Sequence, residues 1–150
     1  MGIIRKINTH FIKGSWLEKK LFVKAFFYML IIRYWMLKVK FSKYEKYLGK
    51  RGNEAKKKPT KDNEYIIQTI RKVVKATSKN TPWESKCMVQ AMSCKWLLKQ
   101  QGINSTIYFG VKPDEENKGK LKAHAWLKIG DYIATGREGH KEFKVVNFYS

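Results

Sequence analysis

Ser85-Lys86-Cys87-Met88-Val89-Gln90-Ala91-Met92-Ser93-Cys94-Lys95-Trp96-Leu97-Leu98-Lys99-Gln100-Gln101 is the stretch whose reading decides the fold. Apolar residues recur in it at three- and four-residue steps, which predicts a helix from about Ser85 to Gln101. Gly102 supplies the stop, because glycine takes the left-handed backbone that ends a helix at little steric cost. The expected core stripe is Met88, Ala91, Met92, Trp96 and Leu98 or a near neighbour. Beyond Gly102 the period changes to two, the repeat of a strand. Ser105 to Val111 reads as the first strand, with Ile107 and Phe109 on one face. Leu121 to Ile129 is the second, Tyr132 to Thr135 the third and Phe143 to Phe148 the fourth. Pro113 to Lys120 is a charged loop, and Gly130-Asp131 a tight hairpin turn.

Upstream, residues 15–48 read as one or two helices. Leu17, Leu21, Ala25, Tyr28, Ile32, Trp35 and Val39 keep helical spacing with no Pro or Gly between them. Leu21 to Leu37 is nearly all apolar, broken by Lys24 and Arg33. A membrane span needs about 20 apolar residues with few charges, so the segment reads instead as a helix buried on one side. A basic amphipathic helix can also lie in an interface. Gly49 to Asp62 reads as a linker containing Lys56-Lys57-Lys58, with Asp62 or Asn63 capping the next helix. That helix carries Ile66, Ile70, Val73, Val74 and Thr77 as one stripe. Helices followed by an antiparallel sheet make an α+β chain. The expected division is a helical basic region, residues 1–55, and a core, residues 56–150, in one compact unit.

The composition bounds what this chain does. Hydrophobic residues make up 43% and aromatics 14%, so it can bury a core and is not a disordered chain. The net charge is +20 and uneven. Residues 1–50 hold 12 basic and 2 acidic side chains, while residues 81–150 hold 11 and 7. A cationic N-terminal half suits an anionic partner such as an acidic peptide, lipid or nucleic acid, and a lysine-rich composition would also produce it. No helix-turn-helix, RNA-recognition or zinc-finger pattern is present, which argues against nucleic acid. Two cysteines cannot build a disulfide framework, and neither they nor the three histidines show metal-ligand spacing, so no metal or cofactor is expected. The late apolar run has no cleavage site. The expected location is the cytoplasm, with membrane association as a second option.

Cys87 stands at the expected helix start, where free N–H groups and the helix dipole favour a thiolate. His124 lies 37 residues downstream in the second strand. A histidine beside such a thiol can hold it as an ion pair and later act as general acid. Strand alternation puts Lys122, His124, Trp126 and Lys128 on one face, so Trp126 can shield the imidazole and is a candidate for the substrate pocket. The backbone N–H of Cys87 is the oxyanion candidate. Cys94, two turns deeper, reads as a small core hydrophobe.

Cys87-Met88-Val89-Gln90-Ala91-Met92-Ser93, Leu97-Leu98, Gly102-Ile103, Phe109-Gly110-Val111 and Ala123-His124-Ala125-Trp126-Leu127 together resemble the lasso peptide leader peptidases. These are transglutaminase-like cysteine proteases. The likeness extends upstream to Trp16-Leu17-Glu18-Lys19-Lys20-Leu21 and downstream to residues 135–146. It implies a transglutaminase- or papain-like core, a catalytic helix packed on a small antiparallel sheet. It implies cleavage of the leader from a ribosomally made precursor peptide, with Cys87 as nucleophile and His124 as its base. It also implies two partners: a separate leader-recognition protein and an ATP-dependent macrolactam cyclase. Docking of the recognition protein is expected on residues 15–48 and Lys56-Lys57-Lys58, with anionic membrane as a weaker alternative. Many family members carry the third catalytic residue, an Asp, about twelve positions past the histidine, and Gly136 stands there instead. Thr135, Asn147 or a backbone carbonyl could orient His124, and Asp131 is expected to face solvent. Two rival functions remain open from sequence: a non-enzymatic basic scaffold for membrane or nucleic acid, and acyl transfer by the same thiol.

Overall fold

A computed structural model describes residues 14–150; the first thirteen residues of the expected N-terminal region lie outside the described residues. Helix α1 spans Trp16–Lys38. Ser15 caps it by accepting from the Glu18 N–H at 3.2 Å, while the Glu18 carboxylate accepts from the Ser15 N–H at 3.2 Å. Of the one or two helices expected over residues 15–48 there are two, separated at Val39, which is extended. A short helix α2, Phe41–Tyr44, and a 3-10 turn, Glu45–Leu48, follow. Helix α3 is Lys61–Ser78 and α4 is Cys87–Gln100. The strands are β1 Thr106–Pro113, β2 Leu121–Ile129, β3 Tyr132–Thr135 and β4 Lys144–Tyr149. They form one sheet in the order β3-β2-β1-β4, all neighbours antiparallel. This is the α+β layout expected from the change of period.

Helix α4 is the hub. It packs on α1, α3 and the three strands β1, β2 and β3. Its burial is therefore wider than one stripe: Val89 and Leu97 are fully buried beside Ala91, Met92 and Leu98, whereas the expected core residues Met88 and Trp96 lie at its margin. Ile107, Ala125, Leu127, Ile129 and Tyr149 close the core from the sheet. Leu21, Ala25, Met29 and Ile32 close it from α1. Complete burial of a Leu or Ile side chain is worth about 1.5–3 kcal/mol.

Helix α3 starts earlier than expected. Thr60, not Asp62 or Asn63, is its N-cap residue, and Asp62 and Glu64 fall in the first turn, where they offset the dipole. The segment read as a linker is strapped to the sheet. Lys50 and Ser150 exchange backbone hydrogen bonds at 2.7 and 3.2 Å, and the Ala55 N–H donates to Thr106 Oγ1 at 2.8 Å. Lys58 pairs with the turn residue Asp131 at 2.9 Å. Among the described residues no helix is long and apolar enough to cross a membrane.

Candidate active site

Cys87 is the first residue of α4. Its N-cap, Lys86, makes no side-chain capping bond, so no side chain at that position covers the first-turn N–H groups. The turn before it is fixed from within. Thr81 Oγ1 lies 2.9 Å from the Trp83 carbonyl and 2.8 Å from Ser85 Oγ. Gln90 Nε2 donates to the Ser85 carbonyl at 2.9 Å. The Trp83 ring packs on Phe26 of α1 with centroids 5.0 Å apart. The partial positive charge of an open helix end thus stands beside the half-buried thiol.

His124 sits on β2 opposite Gly110. A Cβ at Gly110 would meet Phe143 Cβ at 2.8 Å and Trp126 Cζ3 at 2.9 Å, so glycine there makes room for both rings. Phe143 and Trp126 flank the imidazole at centroid distances of 5.0 and 5.9 Å. Trp126 is 4% exposed and also stacks on Tyr108. It backs the imidazole and is not among the cavity-lining residues, although the alternation of β2 put it on the histidine's face.

The orienting group is a main-chain carbonyl. His124 Nε2 lies 2.8 Å from the Gly136 carbonyl oxygen. A carbonyl only accepts, so this nitrogen carries the proton, and in the neutral ring Nδ1 keeps its lone pair. Gly136 has φ +71°, and a Cβ there would fall 2.4 Å from the Ala125 carbonyl oxygen and 2.9 Å from Trp126 Cα. No side chain fits at the position where the resemblance calls for Asp, and the backbone itself fills the space. Asn147 is engaged elsewhere, with Arg51 and Tyr149. Thr135 Oγ1 is buried without a hydrogen-bond partner. Asp131 is exposed in its turn.

Cys87 and His124 line one cavity of about 690 Å³, with Gln90, Thr135 and Gly136. Among the described residues no hydrogen bond joins the Cys87 thiol to the His124 ring, which bonds to the Gly136 carbonyl instead. The walls hold Arg71, Lys72, Lys75 and Arg137 against one carboxylate, Glu138. Arg71 is fixed by donating from Nε to the Ala134 carbonyl at 2.9 Å and by stacking over Tyr132. Sequence reading gave no signal for these cations, since α3 surface lysines and arginines look alike until the fold turns some toward the cavity. Cys94 is fully buried, and burial pushes its thiol up to about 12. Among the described residues no group of three His, Cys, Asp or Glu side chains could hold a metal.

A family model described as the transglutaminase-like superfamily matches residues 31–147. That match takes in α2 to α4, strands β1 to β3, the first part of β4, Cys87, His124 and Gly136, and it fits a cysteine peptidase or an acyltransferase. No curated protein and no solved structure matches the chain. The chain belongs to the transglutaminase-like superfamily.

Proposed function

We propose that this protein is a cysteine peptidase that removes the leader from a ribosomally made lasso precursor peptide, presented by a separate leader-recognition protein. The observation that carries the reading is one cavity lined by both a thiol at an open helix N-terminus and a histidine whose Nε2 proton is held by a carbonyl. In the proposed cycle the Cys87 proton passes to His124 Nδ1, and the thiolate attacks the scissile carbonyl. The Cys87 N–H receives the oxyanion. The imidazolium protonates the leaving nitrogen as the C–N bond breaks, freeing the α-amine of the core peptide. The leader remains on Cys87 as a thioester. His124 then takes a proton from water, hydroxide displaces the thiolate, and the leader leaves with a new carboxylate. The macrolactam cyclase would consume the freed amine. Trp126 and Phe143 keep water from the ring faces.

The test is precursor cleavage, followed by mass spectrometry, with the recognition protein present. Cys87→Ala and His124→Ala should each abolish it while thermal unfolding stays cooperative, because removing one of a cooperating pair loses most of the rate enhancement. Cleavage by Cys87→Ala at the normal rate refutes the mechanism. Transfer of the leader to an added amine, with no hydrolysis, would assign acyl transfer instead.

A further inference from the structure

The solvent-facing side of α1 is built the wrong way round for a surface helix. Val23, Phe27, Leu30, Ile31, Tyr34 and Leu37 are each between 41% and 63% exposed. They succeed one another at steps of one, three and four residues, so they form one stripe along the helix. The opposite side, Leu21, Ala25, Met29 and Ile32, is already committed to the core. An ordinary surface helix shows water its charged face, and contiguous apolar patches of this kind mark interaction surfaces.

The charges of α1 lie around the stripe. Lys20 stands at its start and Lys38 and Lys40 at its end, all exposed. None of the three has an acidic partner among the described residues. Trp16, 81% exposed, sits at the N-terminal end. Lys24 and Arg33 flank the stripe and are tied inward, to Gln100 at 2.8 Å and to Glu84 at 3.6 Å. Glu18 is the only acidic residue in the helix.

We propose that this face of α1 docks the protein on an anionic lipid surface, with the helix lying in the interfacial plane. Aromatic and aliphatic side chains on one face, bordered by lysines, are what an interfacial helix presents to the boundary between headgroups and acyl chains. Each lysine near an anionic leaflet adds to the attraction. No α1 residue lines the cavities beside Trp96, Tyr132 or Cys87. None of these cavities therefore offers the stripe's partner a pocket for an anchor side chain, whereas a fluid phase needs none. A second copy is a poor occupant. It would bring two chains of +20 together with their lysines ringing the contact. Docking here leaves the cavity of Cys87 unobstructed, because α1 contributes nothing to its walls.

The experiment is co-sedimentation of the full chain with vesicles of phosphatidylcholine plus phosphatidylglycerol, and with phosphatidylcholine alone. The wild type should bind the mixed vesicles and leave the neutral ones in solution. Phe27→Ser with Tyr34→Ser should weaken binding at least tenfold without moving the unfolding midpoint, as both side chains are over half exposed. Lys20→Gln with Lys38→Gln and Lys40→Gln should also weaken it, and salt should weaken it further as the Debye length falls from about 10 Å at 0.1 M to about 3 Å at 1 M. Absence of binding to the mixed vesicles overturns the proposal, as does equal binding to neutral ones. So does a serine variant that binds vesicles normally but loses self-association or affinity for the recognition protein. That result would assign the face to a protein.

Discussion

Replacing Gly136 by alanine separates strain from geometry at the site. Gly136 and Gly102 share φ +71°, but their surroundings differ. A Cβ at Gly102 meets nothing within 4 Å, whereas one at Gly136 would sit 2.4 Å from the Ala125 carbonyl oxygen. Left-handed backbone costs a non-glycine residue about 1–2 kcal/mol, so Gly102→Ala should lose about that much stability. Gly136→Ala carries the same cost and more. Restoring an ordinary contact requires the chain to move by about 1 Å, which takes the 2.8 Å hydrogen bond to His124 Nε2 out of range. The lost bond adds about 1 kcal/mol. Gly136→Ala should therefore be destabilised by about 3 kcal/mol, read by urea denaturation. A displacement of about 1 Å at a catalytic group can cost 10²-fold in rate, so precursor cleavage should fall by about that factor, while Gly102→Ala cleaves normally. The ring nitrogen shifts of His124 by NMR give a second readout, because losing the carbonyl frees the imidazole to populate the other tautomer. If Gly136→Ala is no less stable than Gly102→Ala and cleaves at the wild-type rate, the carbonyl does not orient the histidine.

Two further outcomes follow from the buried groups of α4. Iodoacetamide at neutral pH should label Cys87 and leave Cys94 untouched in the folded chain, because burial holds the Cys94 thiol protonated; Cys94→Ala should keep cleavage activity, and its loss with the fold intact would reopen which thiol attacks. Lys95 is 7% exposed, donates to the Ser105 carbonyl at 2.5 Å and is pushed down to about 8, chiefly by burial and then by Lys99. Between about pH 8 and 10.5 the unfolded chain then binds the proton that the folded chain has released, so this group makes stability rise with pH there, by on the order of 3 kcal/mol at most. Denaturant titrations of wild type and Lys95→Met across that range should diverge by this slope, and parallel pH profiles would refute it.

The amino-acid sequence determined the elements and their order. Alternation of period around Gly102 marked α4 against the strands, while the fold decided which face of β2 is buried, the one that carries Ala125, Leu127 and Ile129. Those signals are local, since each helix or strand repeats its own spacing whatever it packs against. The position of Cys87 at a helix start and His124 on a strand was legible for the same reason. Tertiary structure alone decided what surrounds them. The orienting group is the carbonyl of Gly136, and a carbonyl belongs to every residue, so no residue type announces it; only the absence of a side chain at Gly136 hinted that backbone takes its place. Trp126 shares the face of His124 by strand alternation, yet the crossing of Tyr108 from β1 buries it behind the ring rather than in the cavity. Whether an apolar helix side meets core or solvent was equally undecided by spacing: α1 is apolar nearly all round, and its packing on α3 and α4 chose which half to bury and which to leave exposed.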